Sequence, residues 1–521
     1  MNPIRRMNQF MRKYFPTLWF VLRIVAGIVA ALVVLALLAS VVLDIYGHRK
    51  LKAARKQAAD KGVALSMKEL LAKRRPIPET SNAANYYEAA FSVLKAKGNY
   101  IPDGLLSPFI DTRMRLWLER LTPQPGANIS HWHRTMSDYR YSLPRYLLAA
   151  MEDYVGERRH AVDLVCKAAA LPDCAYHVDW SKGPLDAPYL DELFQANRLM
   201  FLAACLDAEK NRPSDAVAKF RANLALASSL AGEPDYHCSI AARRFVASLA
   251  IDGLTRIVSR TDVSGEDLRL LQRDLERFVA STPLRNAIEA ELASYCDSCV
   301  FFASGKSRTV PPLSDFPLPG ALPPPSLAVN AGPVLAWLFR GAIKMDQAAA
   351  IKCCLAFLDN PGAPSAAARK AMLEVAGIIG KDRLVRIAQK QATARAAGAT
   401  VEDSFFMSAA MYWSLKDRLA RGDSLSLRAG AAAAALAALR FKNDTGHWPE
   451  NLAALVPAYL DKVPLDSTGN PLVYTVLPDG IAVYSVGSNG RDDGGKPSPL
   501  APVPQDPKYF SYDDFGFCLY K

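Results

Sequence analysis

The chain has 521 residues, of which half are hydrophobic and 22% are charged, and its formal net charge is +12 at pH 7. This composition excludes a globally disordered chain and leaves room for two or three domains. The basic residues are spread along the chain without a nucleic-acid-binding motif, so we expect no nucleic-acid partner.

An apolar run near the N-terminus, Ile24 to Leu43, reads IVAGIVAALVVLALLASVVL and contains no charge. As a helix it would cross a hydrocarbon core of about 30 Å. The run is longer than the apolar core of a signal peptide, and no small-residue cleavage site follows it. We therefore predict an uncleaved transmembrane anchor in residues 17–46, preceded by a cytoplasmic basic tail in residues 1–16. Basic residues flank both ends almost equally, so their distribution leaves the orientation open.

The next region, residues 47–305, carries apolar residues at helical spacing. Its clearest unit, PYLDELFQANRLMFLAACLDAEKNRPSDAVAKFRANLALASSLAGEP, predicts two antiparallel helices joined by a turn at Asn211–Pro213, with Ser214 as the N-cap of the second. Such pairs are typical of tetratricopeptide-like repeats, but the strict consensus is absent. We predict an irregular array of α-hairpins, which usually serves as a scaffold or a binding surface.

Three further regions follow. Residues 306–333 are proline-rich and predict an extended loop. Residues 334–423 predict further helices, at about 334–358, 365–380 and 383–397. Residues 424–521 predict a small α+β domain that folds separately, with an alanine-rich helix to about Asn443 and strands near 472–476 and 481–486.

Residues of catalytic or metal-binding type occur in the helical regions, but none of them forms a complete motif. His131 and His133 lack a third ligand at a recognisable spacing, and the same holds for His177 with Asp179 and for His237. No Walker loop, GxGxxG, GxSxG or HExxH motif is present. These observations predict a protein without catalytic activity.

The nine cysteines are too sparse for a disulfide scaffold. Cys296 and Cys299 have the CxxC spacing of redox proteins, but they follow a helical sequence, which favours two cysteines on one helix face. Pairing stays an alternative if this region faces an oxidising compartment. An enzyme in the helical region, a hydrolase or a thiol redox protein, is therefore the alternative, with these cysteines or His131 and His133 as its candidates.

A glycine-rich loop near the C-terminus, GSNGRDDGG, gathers Ser488, Asn489, Asp492 and Asp493. Glycines permit tight turns, and oxygen-bearing side chains suit a hard cation such as Ca²⁺. A metal-free turn is the alternative.

The C-terminal region resembles the C-terminal domain of the major (G-type) pseudopilin of type II secretion. The resemblance covers about residues 424–521 and is carried by the turn GHWP, the stretch NLAALVPAYLDKVPLDSTGNPLVY, the loop YSVGSNG and the closing motif Asp513-Asp514-Phe515. That family binds Ca²⁺ through the loop and the closing aspartates. Carried over, Asn489 stands at the loop position, Asp513 at the closing one, and Asp492 or Asp493 compensates for the missing loop aspartate. The resemblance thus implies a calcium site formed by Asn489, Asp492, Asp493, Asp513 and Asp514.

The N-terminus departs from the pseudopilin pattern, because FPTLWFVLRIVAG lacks the glycine cleavage site and the glutamate of that family. The whole chain also resembles uncharacterised anchored membrane proteins of planctomycete and verrucomicrobial bacteria, which have an α-helical region and no assigned activity.

Together, these patterns predict a mainly α protein with a transmembrane helix, an α-hairpin array and a pseudopilin-like α+β domain. We expect a single-pass protein of the bacterial inner membrane that contacts the lipid bilayer through residues 24–43, with its N-terminus in the cytoplasm and its bulk in the periplasm. We expect a non-enzymatic scaffold or assembly protein that binds a protein partner on its helical surface. The resemblance links it to a type II secretion or pilus-like system.

Overall fold

The computed structural model describes residues 16–97, 142–180, 187–235, 237–281, 284–303, 332–359, 407–466, 469–486, 492 and 515–521. This part of the chain is mainly helical and ends in a small antiparallel sheet, in agreement with the predicted fold class. The α-helices are α1 (Pro16–Asp60), α2 (Met67–Ala72), α3 (Ala84–Lys97), α4 (Arg145–Glu157), α5 (Arg159–Ala169), α6 (Leu190–Glu209), α7 (Pro213–Ser228), α8 (Arg243–Arg260), α9 (Gly265–Ala280), α10 (Leu284–Ala303), α11 (Gly332–Asp359) and α12 (Met407–Thr445).

The first helix, α1, is 45 residues long and continues without a break past the predicted anchor. Its apolar part is exposed, whereas Leu51, Ala54 and Ala58 near its C-terminal end are buried. It is long and apolar enough to cross a membrane or to serve as a signal sequence. The predicted anchor and the folded body therefore share one helix.

The end of α1 belongs to a small core that it forms with α10 and α11. Asp44 forms ion pairs with Arg340 and Lys344, and Lys61 forms one with Asp359. Since residue numbers rise together on both helices, α1 and α11 run parallel.

Helices α3 to α9 pack on one another around a second, larger core. Helices α6 and α7 form the predicted hairpin, with Asn211 at a φ of 54° in the turn between them. The predicted cap was wrong: α7 begins at Pro213, so Ser214 lies inside the helix and Arg212 is the N-cap. Proline suits this first position because its missing N–H would have no partner there. A tetratricopeptide-like repeat pattern stays a prediction.

The C-terminal region follows the predicted order of helix, turn and strands. Helix α12 begins earlier than predicted, at Met407, and ends at Thr445 before Gly446, whose φ of 85° reverses the chain. Strands β1 (Val473–Leu477) and β2 (Gly480–Ser485) form the predicted hairpin. A third strand, β3 (Phe515–Tyr520), pairs antiparallel with β2 and was not predicted.

The sheet and α12 share the larger core with α8 and α9. The Lys521 Nζ donates to the Thr261 carbonyl oxygen at 2.8 Å, and the Gln272 side chain donates to the Tyr459 carbonyl oxygen at 2.8 Å. That the C-terminal region folds by itself stays a prediction. The proline-rich loop, except for the first residues of α11, and the helices predicted at 365–380 and 383–397 lie outside the described residues.

Candidate functional site

The predicted calcium ligands are only partly described. Asp492 is exposed and accepts a hydrogen bond of 3.0 Å from the Tyr484 hydroxyl. Asn489, Asp493, Asp513 and Asp514 lie outside the described residues. The strand register places Phe515 opposite Ser485, so the two segments that carry the predicted ligands leave the sheet at the same end. The calcium site stays a prediction.

The histidine candidates differ in their surroundings. His131 and His133 lie outside the described residues, as does the side chain of His237. The Nδ1 atom of His177 lies 2.8 Å from Glu88 Oε2, and its backbone N–H donates to Glu88 Oε1 at 2.9 Å. The hydrogen bond to Glu88 raises the pKa of His177. These contacts fasten the segment after α5 to α3, and no metal-binding group of three or more side chains forms among the described residues.

The cysteines show no sign of activation. All nine are free, and Cys296 and Cys299 lie buried on α10, as the helical interpretation of the CxxC spacing predicted. Burial raises the pKa of Cys296 to about 11 and that of Cys299 to about 12. Reactive cysteines are thiolates of lowered pKa in accessible positions, whereas these thiols stay protonated at neutral pH.

The described residues form a groove of about 1150 Å³, here called the basic groove. It is formed by α2 and the segment after it, the segment after α5, α7, the segment 228–234, α9 and the start of α10. Six basic side chains line it against four carboxylates: Lys73, Arg74, Arg75, Arg221, Arg277 and Arg285 against Asp173, Glu233, Asp274 and Glu289.

Most charges of the basic groove are paired across elements that are distant in sequence. The Glu289 carboxylate on α10 accepts from the Lys73 Nζ at 2.8 Å and from the Arg285 Nε at 2.9 Å. On α9, Asp274 pairs with Arg221 of α7. These ion pairs join α10 to the segment after α2, and α9 to α7. Asp274 also pairs with Arg277, 3.6 Å away. With six basic side chains against four carboxylates, the lining keeps a surplus of positive charge, and Arg75 and Arg277 are exposed on its rim.

The floor of the basic groove is aromatic and includes one buried carboxyl group. Its aromatic lining residues are Tyr87 and Phe278, and its buried carboxyl group is Glu233. The rings of Tyr176 and Tyr189 stack at 4.1 Å between centroids outside the lining, and the Tyr189 hydroxyl donates to Glu233 Oε2 at 3.4 Å. Burial raises the pKa of Glu233 despite the opposing effect of Arg74, whose guanidinium lies 3.1 Å from Glu233 Oε1. Burial also raises the pKa of Cys174 to about 12. The floor can therefore pack against a ligand, but it offers no thiolate nucleophile.

The basic groove was not predicted from the sequence. The one local signal is the run Lys73-Arg74-Arg75, because the other lining residues come from six distant segments.

No match to this chain was found among protein-family models, curated proteins or solved structures.

Proposed function

We propose that this chain is a membrane-anchored scaffold or assembly protein without catalytic activity, whose helical body binds a protein partner. One observation carries the proposal: α1 is a single helix whose apolar part is exposed and whose C-terminal part is buried in the body. An exposed apolar run of this length is stable only in a lipid environment or against a partner. Because the same helix enters the core, no linker separates the folded body from the anchor.

The basic groove is the surface on which we place the partner. Its surplus positive charge and aromatic floor suit a segment that carries acidic and apolar side chains. Helix α1 ends at Asp60, sixteen positions after Asp44, and Gly62 lines the groove. The groove therefore lies about 24 Å from the end of the anchor along α1. A partner held there would be positioned close to the membrane.

For the location we propose the bacterial inner membrane, with a cytoplasmic N-terminus and a periplasmic body. The support is the resemblance of the C-terminal region to pseudopilins, which also suggests a role beside a type II secretion or pilus-like system. A reporter fused after Lys521 tests the orientation. Alkaline phosphatase activity supports the proposal, whereas cytoplasmic fluorescence without phosphatase activity contradicts it.

The enzyme alternative keeps one supporting observation, the raised pKa of Glu233, because a carboxyl group of this kind can act as a general acid. Against it, Arg74 and Tyr189 both contact this carboxyl group, and Cys174 beside it stays protonated. The paired charges and the protonated thiols favour binding over chemistry.

Site-specific photo-crosslinking in native membranes tests the proposal. A crosslinking amino acid replaces Arg277 or Arg75 in the basic groove, or Arg269 as the control. Arg269 and Arg277 are both exposed on α9, but Arg269 lies outside the groove and close to Arg440. We expect a discrete protein adduct from both groove positions and none from Arg269. Equal adducts at all three positions, or none in the groove, would contradict the assignment of the groove.

A further inference from the structure

A second helix, α11, packs beside the C-terminal end of the apolar run of α1. Helix α11 begins at Gly332, and its first turns read PVLAWLF from Pro333 to Phe339, without a charge before Arg340. On α1, the charge-free run ends at Leu43, before Asp44. Arg340 Nε lies 3.1 Å from Asp44 Oδ2, so the charged residues that follow the two charge-free runs lie at the same level.

The two helices are in backbone contact at this level. A Cβ atom added to Gly341 would lie 2.4 Å from the carbonyl carbon of Leu43, and one added to Gly47 would lie 2.4 Å from the carbonyl oxygen of Gly341. Only glycine permits so close an approach. Since the helices run parallel from this contact, the residues before Gly341 lie beside the residues before Leu43.

The burial pattern of α1 shows that the packing continues into the apolar run. The least exposed positions on α1 follow one another at alternating intervals of four and three residues: Ser40, Asp44, Gly47, Leu51, Ala54 and Ala58. This spacing is that of a helix face packed against a neighbouring helix, here from Ser40 to Ala58. Ser40 lies inside the charge-free run and is only 4% exposed, although its apolar neighbours are exposed. Helix α11 is the element that packs along α1 at this end.

We propose that residues 333–339 of α11 are embedded in the lipid bilayer beside the C-terminal part of the anchor. This inference rests on the proposed function, because it requires that residues 24–43 span a membrane. Gly341 lies nine positions after Gly332, which corresponds to about 14 Å of helix, or almost half the thickness of the hydrocarbon core. Residues 333–339, here called the wedge, would thus lie within one leaflet of the bilayer.

The position of the C-terminal end of α10 agrees with a bilayer surface at the level of Gly341. Tyr295 on α10 contacts Asp346 on α11, whereas Glu289, one to two turns earlier, contacts the backbone of Ala64, beyond the end of α1. Helix α10 therefore runs antiparallel to α1 and ends near the level of Gly341. There, Val300 is 57% exposed, an apolar side chain at the expected surface of the bilayer. Contact with lipid through α1, α11 and the end of α10 would fix the orientation of the body on the membrane.

Depth-dependent fluorescence quenching in the full chain tests this proposal. Single cysteines replace Val334, Leu335 or Ala336, which lie about 100° apart around α11 and sample different faces. Each variant is labelled with a polarity-sensitive fluorophore near pH 7, where the native thiols outside the membrane are protonated and largely buried, and unsubstituted protein gives the background. The protein is then reconstituted into vesicles with lipids brominated at defined acyl-chain depths. Ile28→Cys is the control inside the span, and Asp461→Cys is the control in water.

We expect strong quenching at position 28, none at 461, and at the best of the three α11 positions quenching comparable to that at 28, because a segment that reaches almost half-way through the core ends near the bilayer centre. If position 28 is quenched while all three α11 positions behave like 461, the wedge is wrong and the anchor stands. If position 28 is not quenched either, both the anchor and the wedge are wrong.

Discussion

The contact between Gly341 and α1 leaves no room for even one added methyl group. An alanine Cβ at Gly341 would lie 2.4 Å from the Leu43 carbonyl carbon and 2.5 Å from the Asp44 nitrogen, where ordinary contacts begin at 3.4 Å. These are backbone atoms, so no side-chain rotation relieves the clash. Helices α1 and α11 would have to separate by about 1 Å.

We expect Gly341→Ala to destabilise the protein by about 1–2 kcal/mol. Overpacking of this kind costs about 1–3 kcal/mol, and the better helix propensity of alanine offsets up to about 1 kcal/mol. The assay is thermal unfolding of the detergent-solubilised full chain. Gly27→Ala is the matched control, because Gly27 also lies in a helix and no atom lies within 4 Å of an added Cβ. We expect no loss of stability from this control.

If Gly341→Ala melts at the same temperature as Gly27→Ala, α1 and α11 are not in backbone contact. The inference that this contact holds the folded body against the anchor would then be wrong. Gly47→Ala provides a second probe of the same contact from the other helix. Because Gly47 and Gly341 face each other, we expect the double variant to lose less stability than the two single losses added together.

Three further predictions concern the body. The Glu209 carboxylate lies 3.2 Å from the buried Arg256 side chain, and Glu209→Leu removes it, which should lower the free energy of unfolding in denaturant by about 3–5 kcal/mol. The double variant with Arg256→Met should recover most of this loss, and equal losses in the single and double variants would contradict the pair. Because Glu88 raises the pKa of His177, the stabilisation by this pair is complete below the unfolded-state pKa of about 6.5 and is lost as the pH rises through the folded-state pKa. His177→Gln should therefore reduce the fall in melting temperature between pH 6 and pH 8, and an unchanged fall would count against the pair. Calcium bound to the C-terminal loop should stabilise the folded full chain by about 2.7 kcal/mol at a hundredfold excess over Kd, so the melting temperature should be higher in calcium than in chelator. Asp513→Ala should remove the difference, and identical melting in both conditions means that the loop is a turn only.

Much of the helical fold could be predicted because its signals are local. The charge-free run, the alanine-rich part of α12 and the hairpin of β1 and β2 each follow from residues that are neighbours in sequence. Strand β3 was missed although Phe515, Phe517 and Leu519 alternate with other residues, because Asp513-Asp514-Phe515 resembles a closing motif rather than the start of a strand.

The basic groove and the contact of α1 with α11 could not be predicted in the same way. Gly47 and Gly341 are almost 300 positions apart, and neither glycine has a local reason to be there, since both lie inside helices. The ion pair of Lys73 with Glu289 likewise joins distant segments. Such contacts depend on how the helices pack in three dimensions, which a single sequence does not specify by local pattern.

The central claim is that residues 24–43 stay attached and hold the body in a membrane. The intact mass of the protein recovered from carbonate-washed membranes tests it most directly, because a cleaved signal sequence and an uncleaved anchor leave different chains in different fractions. We expect the washed membranes to contain a chain in which residues 24–43 are still present. A chain that has lost these residues and appears in the soluble fraction would contradict it.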